Sequence, residues 1–405
     1  MCEFRKRLRS RARFAPPVAL GLALLPWSAA AQDTRTAEIT KKQEEKAEQA
    51  TPYKPSGYER IMNSIEQSYV SPPSGFFPNF GSVYPGGGFT LGAGYRHFYA
   101  REAVWEIKGL YSIKNYKNIE IGTRAPWNGA GRVTTGIRAG WRDAPQIGYY
   151  GLGNETVPDD RANFRVKHTY LIGSLVFKPS WWTRLEAEVA YDDLRTEEGL
   201  GSAPSIETKY DAVTAPGLFS NPKYIHSEGT AAIDWRPAEG YARKGGYYGV
   251  KFADFSDRDK TFSFQRIDGE LIQHLPILRE NWVLSFRGRV QSVLDDNDTV
   301  PYYLMPYLGS GSTLRGYSTA RFRDRHALLT SSEFRWIVNR LALDMAVFYD
   351  AGKVASRRKD LDFENLNSSW GIGARFHGPT TTPLRIEVAK AQGSWRLVFS
   401  SNAAF

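Results

Sequence analysis

The chain has 405 residues, with 53 lysines and arginines, 43 aspartates and glutamates, and aromatic side chains at 14% of its positions. Its mean hydropathy is −0.45. After residue 30 no stretch approaches the roughly 18 to 20 uncharged apolar residues of a membrane-spanning helix, which excludes a helical membrane protein. The many aromatic residues argue against disorder. A large soluble globule or a membrane β-barrel remains, and a barrel has low hydropathy because its strands alternate.

Residues 1–31 predict a secretory signal peptide. Six basic residues and one acidic residue precede the apolar stretch 14–25, which Pro26 and the alanine triplet 29–31 follow. A basic start, a short apolar middle and small residues at the cleavage site are typical of such a peptide. A membrane anchor is the alternative, but the apolar stretch is short for one. This segment carries half of the net charge of +10, so much of the positive charge of the chain belongs to a targeting signal. Nucleic acid is therefore not an expected partner.

Cleavage after residue 31 also removes Cys2, the single cysteine. The mature chain then has no thiol for a disulfide, a nucleophile or a metal site, as suits an oxidising compartment. Residues 32–74 are predicted to form a flexible periplasmic N-terminal segment, charged and free of aromatics up to about residue 52. About 43 residues are too few for a second compact domain.

From residue 75 onward, segments of about ten residues alternate apolar and polar side chains between clusters of Gly, Pro, Asn and Asp. In one such segment Trp282, Leu284 and Phe286 share a face, whereas Ser285 lies on the opposite face. A soluble sandwich is the alternative for this pattern. So many long and regular strands favour a membrane barrel, with lipid on one face and a wet lumen on the other.

The alternation predicts fifteen strands, and the weaker segment 76–84 adds a first strand. An antiparallel barrel with both ends in the periplasm needs an even number. The other predicted strands are 87–98, 102–113, 116–124, 131–142, 161–177, 181–194, 223–237, 245–255, 260–274, 281–293, 326–338, 340–350, 369–377, 383–390 and 394–402. The long connections all fall on the extracellular side, at 143–160, 195–222, 294–325 and 351–368. We therefore predict an all-β fold over 75–405, a transmembrane antiparallel β-barrel of about 16 strands.

The C-terminus carries a predicted assembly signal. Phe405 ends the chain, and Leu397 and Phe399 are alternating apolar positions before it. A terminal aromatic residue on an amphipathic strand is the usual outer-membrane assembly signal. The expected partners are therefore the general barrel-assembly machinery, during insertion of this barrel, and the outer-membrane lipids around it.

The most specific stretch is 308–324, LGSGSTLRGYSTARFRD, which leads into 328–336, LLTSSEFRW, and then into 348–352, FYDAG. This order of motifs resembles the outer-membrane assembly and translocation superfamily of BamA, TamA and the two-partner-secretion transporters, the bacterial surface antigen family. With segments 145–164 and 371–387 included, the resemblance covers about 75–405.

The resemblance implies that the loop between strands eleven and twelve folds into the barrel. There the arginine of an R-G-F/Y tip pairs with the aspartate of an F-x-D-x-G motif on strand thirteen. The matching residues in this sequence are Arg315, Gly316, Tyr317, Phe348, Asp350 and Gly352. These relatives carry polypeptide-transport-associated domains before the barrel. The segment 32–74, of about 43 residues, is too short to form even one such domain. The chain therefore resembles a domain-less branch.

The residue chemistry supports the same pairing without the family. A loop of 32 residues inside a barrel needs an anchor, and the Arg315 guanidinium is a rigid fork of donors that suits a carboxylate. Alternation along the strand turns Asp350 into the lumen, with Glu333 and Asp344 as secondary partners. In the alternative, Arg315 is an exposed loop residue and Asp350 a solvated lumen residue.

The sequence contains no G-x-S-x-G, H-E-x-x-H, P-loop or dinucleotide fingerprint, and its six histidines have no ligand spacing. We therefore expect no enzyme, no metal and no cofactor. The predicted function is to assist insertion or translocation of a polypeptide or lipid client at the outer membrane of a Gram-negative bacterium. A passive pore or structural barrel is the first alternative. An outer-membrane lipid hydrolase, with a Ser–His pair assembled across strands, is the second.

Overall fold

The computed structural model describes Lys41 and residues 74–127, 131–278, 280–294, 300–339, 342–378, 380–400 and 403–405. The predicted signal peptide lies outside the described residues, as does segment 32–74 apart from Lys41 and Ser74. Among the described residues, no helix has the length and apolar character needed to cross a membrane.

The strands form one antiparallel sheet of sixteen members, each paired with its neighbours in chain order. They are β1 (Gly75–Phe80), β2 (Thr90–Ala100), β3 (Ala103–Ser112), β4 (Lys117–Pro126), β5 (Val133–Tyr149), β6 (Ala162–Phe177), β7 (Thr183–Glu198), β8 (Lys223–Asp234), β9 (Gly245–Asp257), β10 (Phe264–Ile277), β11 (Trp282–Val293), β12 (His326–Asn339), β13 (Leu343–Ala355), β14 (Asn367–Phe376), β15 (Leu384–Ala391) and β16 (Ser394–Ser400). The predicted all-β fold with sixteen strands is confirmed.

Short elements occupy the connections on the extracellular side. Among the residues that the structure describes, four single-turn 3₁₀ helices lie at Pro158–Asp160, Ile206–Thr208, Tyr302–Leu304 and Arg358–Asp360. Within the long segment between β11 and β12, Tyr307–Leu308 pairs with Phe322–Arg323 as a two-residue ladder.

The two faces of the sheet differ as the alternation predicts. In β10, Leu271 and Leu275 are 47% and 44% exposed on the outer face, whereas Ile272 and His274 are buried on the inner face. Lipid is the natural solvent for the outer residues, and the inner residues pack against each other and against the loop inside.

The sheet is rolled into a barrel, because strands from both ends of the order surround the same loop. Arg287 of β11 donates a hydrogen bond of 2.7 Å to the carbonyl of Ser312. A Cβ on Gly311 would lie 3.0 Å from Cγ1 of Val398 in β16. A Cβ on Gly86, just after β1, would lie 2.9 Å from the Thr319 hydroxyl.

Three strands extend furthest beyond their predicted ends: β5 reaches Tyr149, β7 reaches Glu198 and β13 reaches Ala355. Their added residues lie at the extracellular ends, where no lipid face imposes alternation. In β13 both faces are buried there, from Asp350 to the end of the strand. The predicted loops 143–160, 195–222 and 351–368 are correspondingly shorter in the structure.

The outer face can be tested by placing a charge on it. We expect Leu171→Arg, on the outer face near the middle of β6, to lower the free energy of unfolding by about 2–4 kcal/mol, because the cation then lies in hydrocarbon. Ser174→Arg is the matched control, since it points into the lumen directly opposite Glu188. Urea unfolding in lipid vesicles measures both, and equal losses would contradict this orientation of β6.

Candidate functional site: a buried ionic network in the lumen

The segment between β11 and β12 folds back into the barrel and places its tip in the lumen. Its turns are closed by backbone hydrogen bonds, from the Tyr317 amide to the Leu314 carbonyl at 3.0 Å and from the Ala320 amide to the Gly309 carbonyl at 2.8 Å. Gly309 has φ of +97°, which a residue with a side chain rarely adopts. Leu314 and Arg315 are fully buried, so the tip is part of the interior.

Arg315 and Asp350 form a bidentate ion pair. The guanidinium Nε and Nη2 donate to Oδ2 and Oδ1 of Asp350, each at 2.8 Å, and the Arg315 amide donates to Oδ2 at 3.2 Å. Cζ of Arg315 also lies 3.4 Å from the ring centroid of Phe348, two residues before Asp350 on the same face of β13. One strand thus supplies both the carboxylate and the aromatic face that hold the cation.

Two further carboxylates bind the same guanidinium. Nη1 of Arg315 donates to Glu333 of β12 at 3.1 Å and to Glu387 of β15 at 3.0 Å. Arg375 of β14 bridges the same pair, contacting Glu333 and donating to Glu387 at 3.1 Å. Consecutive wall strands therefore converge on one loop residue.

The full cluster is here called the lumen network. It comprises three carboxylates, four arginines and an aromatic ring, at Arg315, Glu333, Arg335, Phe348, Asp350, Arg375, Arg385 and Glu387. All three carboxylates and all four guanidinium groups are buried. Such a cluster is weak evidence of stability by itself, because desolvation of the charges offsets their attraction, but removing one member leaves a buried charge uncompensated.

Glycines let the tip approach the wall. A Cβ on Gly316 would lie 2.7 Å from Cβ of Ala391 and 2.8 Å from Cβ of Ser369. A Cβ on Gly352 would lie 2.9 Å from Cδ1 of Leu308 in the loop. Tyr317, by contrast, packs within the loop, its ring 4.9 Å from that of Phe322.

The network continues to the other end of the barrel. Arg335 lies 3.6 Å from Glu333 and donates to the carbonyl of Ala242, in the turn 235–244 between β8 and β9. We call this segment the periplasmic turn. The Tyr241 hydroxyl donates to Asp344 of β13 at 2.5 Å, and its ring stacks on His377 at 4.0 Å. The periplasmic turn thus crosses the mouth of the barrel, since β8 and β13 lie far apart in the sheet.

The extracellular mouth is covered by loops that are hydrogen-bonded to one another. Thr156 donates to the Arg321 carbonyl at 2.9 Å, and the Arg321 guanidinium in turn donates to the Thr156 carbonyl. Gly153 bonds the Arg323 carbonyl at 2.9 Å. Burial raises the pKa of the Asp324 carboxyl, which accepts a hydrogen bond from the next backbone amide at 2.8 Å.

A family model described as the Omp85 superfamily domain matches residues 109–394. The chain belongs to the Omp85 superfamily. Omp85 proteins of this kind reside in the outer membrane of Gram-negative bacteria, so this is the location of the barrel.

Solved structures share the Omp85 fold at low sequence identity. One is BamA from Haemophilus ducreyi lacking POTRA domains 1-3, with a TM-score of 0.59, 15% identity, and coverage of 81% of this chain and 70% of that chain. Another is CdiB from Escherichia coli, with a TM-score of 0.52, 13% identity, and coverage of 80% and 61%. No curated protein matches the chain.

The structure brings together most of the residues singled out in the sequence of this Omp85 barrel. Glu333 joins Arg315, whereas Asp344 faces inward but contacts Tyr241 instead. Sequence reasoning missed Glu387 and Arg375. Strand alternation is the signal that finds them, because each is a charged residue on a strand whose other face carries large apolar side chains.

Two residues of the predicted assembly signal lie within β16, and the third lies beyond its end. Leu397 and Phe399 are 55% and 64% exposed on the outer face of that strand. Phe405 lies beyond the strand, with its ring centroid 6.4 Å from that of His274. Recognition of these residues by an assembly machinery stays a prediction.

In the part of the chain that the structure describes, two Ser–His contacts form across strands, which is the arrangement that a hydrolase would need. His274 lies 2.8 Å from Ser285 inside the lumen, and His326 lies 2.9 Å from Ser292 near the extracellular rim. All four residues are buried, so neither hydroxyl faces the bilayer. Within the described residues, no group of three or more His, Cys, Asp or Glu is arranged to hold a metal ion.

The lumen network predicts a large effect of Arg315→Ala. We expect a loss of about 3–5 kcal/mol in the free energy of unfolding and new protease cleavage within 300–325, because three buried carboxylates lose a shared cation. Asp350→Asn is expected to act in the same direction. Urea unfolding and limited proteolysis measure the two effects.

Arg357→Ala is the matched control, since it breaks an ion pair of equal length, 2.8 Å to Asp360, on the exposed surface. That pair is expected to contribute under about 1 kcal/mol. Equal losses in Arg315→Ala and Arg357→Ala would contradict the anchoring role of Arg315.

Proposed function

We propose that this Omp85 barrel assists polypeptide or lipid clients in entering or crossing the outer membrane at the edge between β1 and β16. The observation that carries the proposal is the contrast between this edge and the rest of the barrel. The lumen is filled by the loop and its network, whereas the edge is formed by two of the shortest strands.

The β1–β16 edge is weakly built. β1 has 6 residues and β16 has 7, whereas β5 has 17. Within the described residues, no backbone ladder joins β1 to β16. β1 also contains Pro78, paired with Ala93 of β2, and a proline within a strand turns its missing N–H toward an unpaired edge. Such an edge offers free backbone groups to an incoming strand.

A passive pore is less well supported, because both mouths of the barrel are crossed. The network anchors the loop from the extracellular side, and Tyr241 and Ala242 hold the periplasmic turn on the other side. Conduction would require both segments to move. The resemblance to assembly and translocation proteins favours a client that passes beside the lumen, at the edge.

Pro78→Val tests the role of the edge. The new N–H gives β1 a donor for a hydrogen bond across the edge, which we expect to slow assisted insertion of an unfolded outer-membrane polypeptide about fivefold, the effect of about 1 kcal/mol. The assay follows folding of that polypeptide into phosphatidylcholine vesicles that contain the barrel.

Pro126→Val, at the end of β4 and paired with Thr134 of β5, is the matched control and is expected to leave the rate unchanged. Insertion at the wild-type rate by Pro78→Val would refute the proposed edge. Vesicles with the wild-type barrel that fold the polypeptide no faster than empty vesicles would refute the function itself.

Ion-current recording separates the proposal from a passive pore. We expect no steady current from the wild type, and only brief openings from Arg315→Ala or Tyr241→Ala, since each releases one cover and leaves the other. The double variant is expected to conduct steadily. A steady current through the wild type would instead support a pore.

A further inference from the structure

The outer face of β7 to β12 carries a shallow apolar groove of about 730 Å³. One side of it is a row of residues paired directly across six consecutive strands. The row consists of Leu185, Ala231, Val250, Gly269, Val290 and Leu328. All of them lie on the outer face of the barrel, so this surface, here called the outer groove, opens into the bilayer.

Glycines form the floor of the outer groove. Gly269 lies between Val250 and Val290, and Gly288 lies between Leu271 and Thr330 in the neighbouring row. A Cβ on Gly269 or Gly288 would meet no heavy atom within 4 Å. The missing side chains leave open space between exposed apolar neighbours.

The outer groove leads to the extracellular rim and ends beside a polar cluster. Leu328 pairs with Lys353 of β13, whose Nζ donates to Asp362 at 2.7 Å and to the carbonyl of Glu364 at 3.0 Å. These contacts hold the segment 356–366, here called the rim loop, against the outer wall. Phe363 of the rim loop lines the outer groove and is 72% exposed.

The rim loop presents cations at this end. Arg358 donates to the Ser292 hydroxyl at 3.2 Å and to the Val293 carbonyl at 3.4 Å, and these two residues follow Val290 toward the extracellular end of β11. Lys359 is exposed beside it. Neither cation forms an ion pair with a carboxylate among the described residues.

The acids of the rim loop are largely committed to other cations. Asp360 pairs with Arg357, and Asp362 pairs with Lys353. Glu364 is the acid of the rim loop that lies outside these pairs, and its charge is set against two cations, Arg358 and Lys359. The net charge at this end of the outer groove is therefore positive.

We infer that this surface binds a phosphorylated glycolipid of the outer leaflet, with one acyl chain in the outer groove and a phosphate at Arg358 and Lys359. The extracellular position of the cations selects the outer leaflet. An Arg beside a Lys suits phosphate oxygens, and an apolar groove on the lipid face suits a chain. The site lies on β7 to β12 and the rim loop, and it does not depend on the proposed role of the β1–β16 edge.

The test is a titration of the full-length barrel, in phosphatidylcholine nanodiscs, with bisphosphorylated lipid A, followed by native mass spectrometry. We expect one tightly bound lipid on the wild type. The double variants Gly269→Leu/Gly288→Leu and Arg358→Gln/Lys359→Gln are each expected to need about tenfold more lipid for half-saturation, because the first fills the outer groove and the second removes charged hydrogen bonds.

Gly229→Leu is the control for the groove, since Gly229 is also an outward glycine with open space around it but does not line the groove. Lys260→Gln is the control for charge, at an exposed extracellular turn between β9 and β10. Both are expected to bind like the wild type. Heat-dependent gel migration verifies that each variant is folded, and the charge variant keeps the test decisive if the glycine variants misfold.

Three results would overturn the inference. The first is no bound lipid A on the wild type, and the second is equal binding by the wild type and the folded site variants. The third is equal binding of phosphatidylglycerol or of dephosphorylated lipid A, because either would remove the need for a phosphorylated glycolipid.

Discussion

The structure depends on one buried guanidinium. Arg315 lies inside the lumen, against the wall formed by β12 to β15, and is held by carboxylates from β12, β13 and β15, with the Phe348 ring against its face. Withdrawal of the loop would leave the buried Asp350 carboxylate without the cation it pairs with, and this cost is not repaid by water while the lumen stays closed. The loop and these wall strands therefore behave as one unit, and the lumen is an interior in the sense of a packed protein core.

The same charges connect the two covers of the barrel. Glu333 and Arg335 are inward neighbours on β12; Glu333 binds the loop, and Arg335 binds the carbonyl of Ala242 in the periplasmic turn. A displacement of β12 would consequently disturb both covers at once. Extracellular and periplasmic segments of separate origin in the chain are thus joined through one strand.

Much of this could be predicted from the sequence, and the rest could not for physical reasons. Lipid on one face enforces alternation, so fifteen of the sixteen strands and the inward position of Asp350 follow from the pattern alone, whereas the first strand follows from the even number that a closed barrel needs. The pairing of Arg315 with Asp350 needed the motif order as well. The contact of Tyr241 with Asp344 had no signal, because a turn has no period and its partner across the mouth depends on the diameter and tilt of the closed wall. The full length of strands such as β5, which ends at Tyr149, was not predicted for a related reason, because alternation ends where the lipid ends.

A filled lumen and a weak edge are two consequences of the same distribution of charge. The inward charges that make the wall cohesive lie on β12 to β15 in the lumen network, whereas β1 contributes no charged side chain, its six residues being Gly75–Phe80, GFFPNF. Deformation of the barrel costs least where few such contacts must break. Under the proposed function, the wall opens beside β1, while the opposite side, with the outer groove and the rim loop, stays fixed in the bilayer.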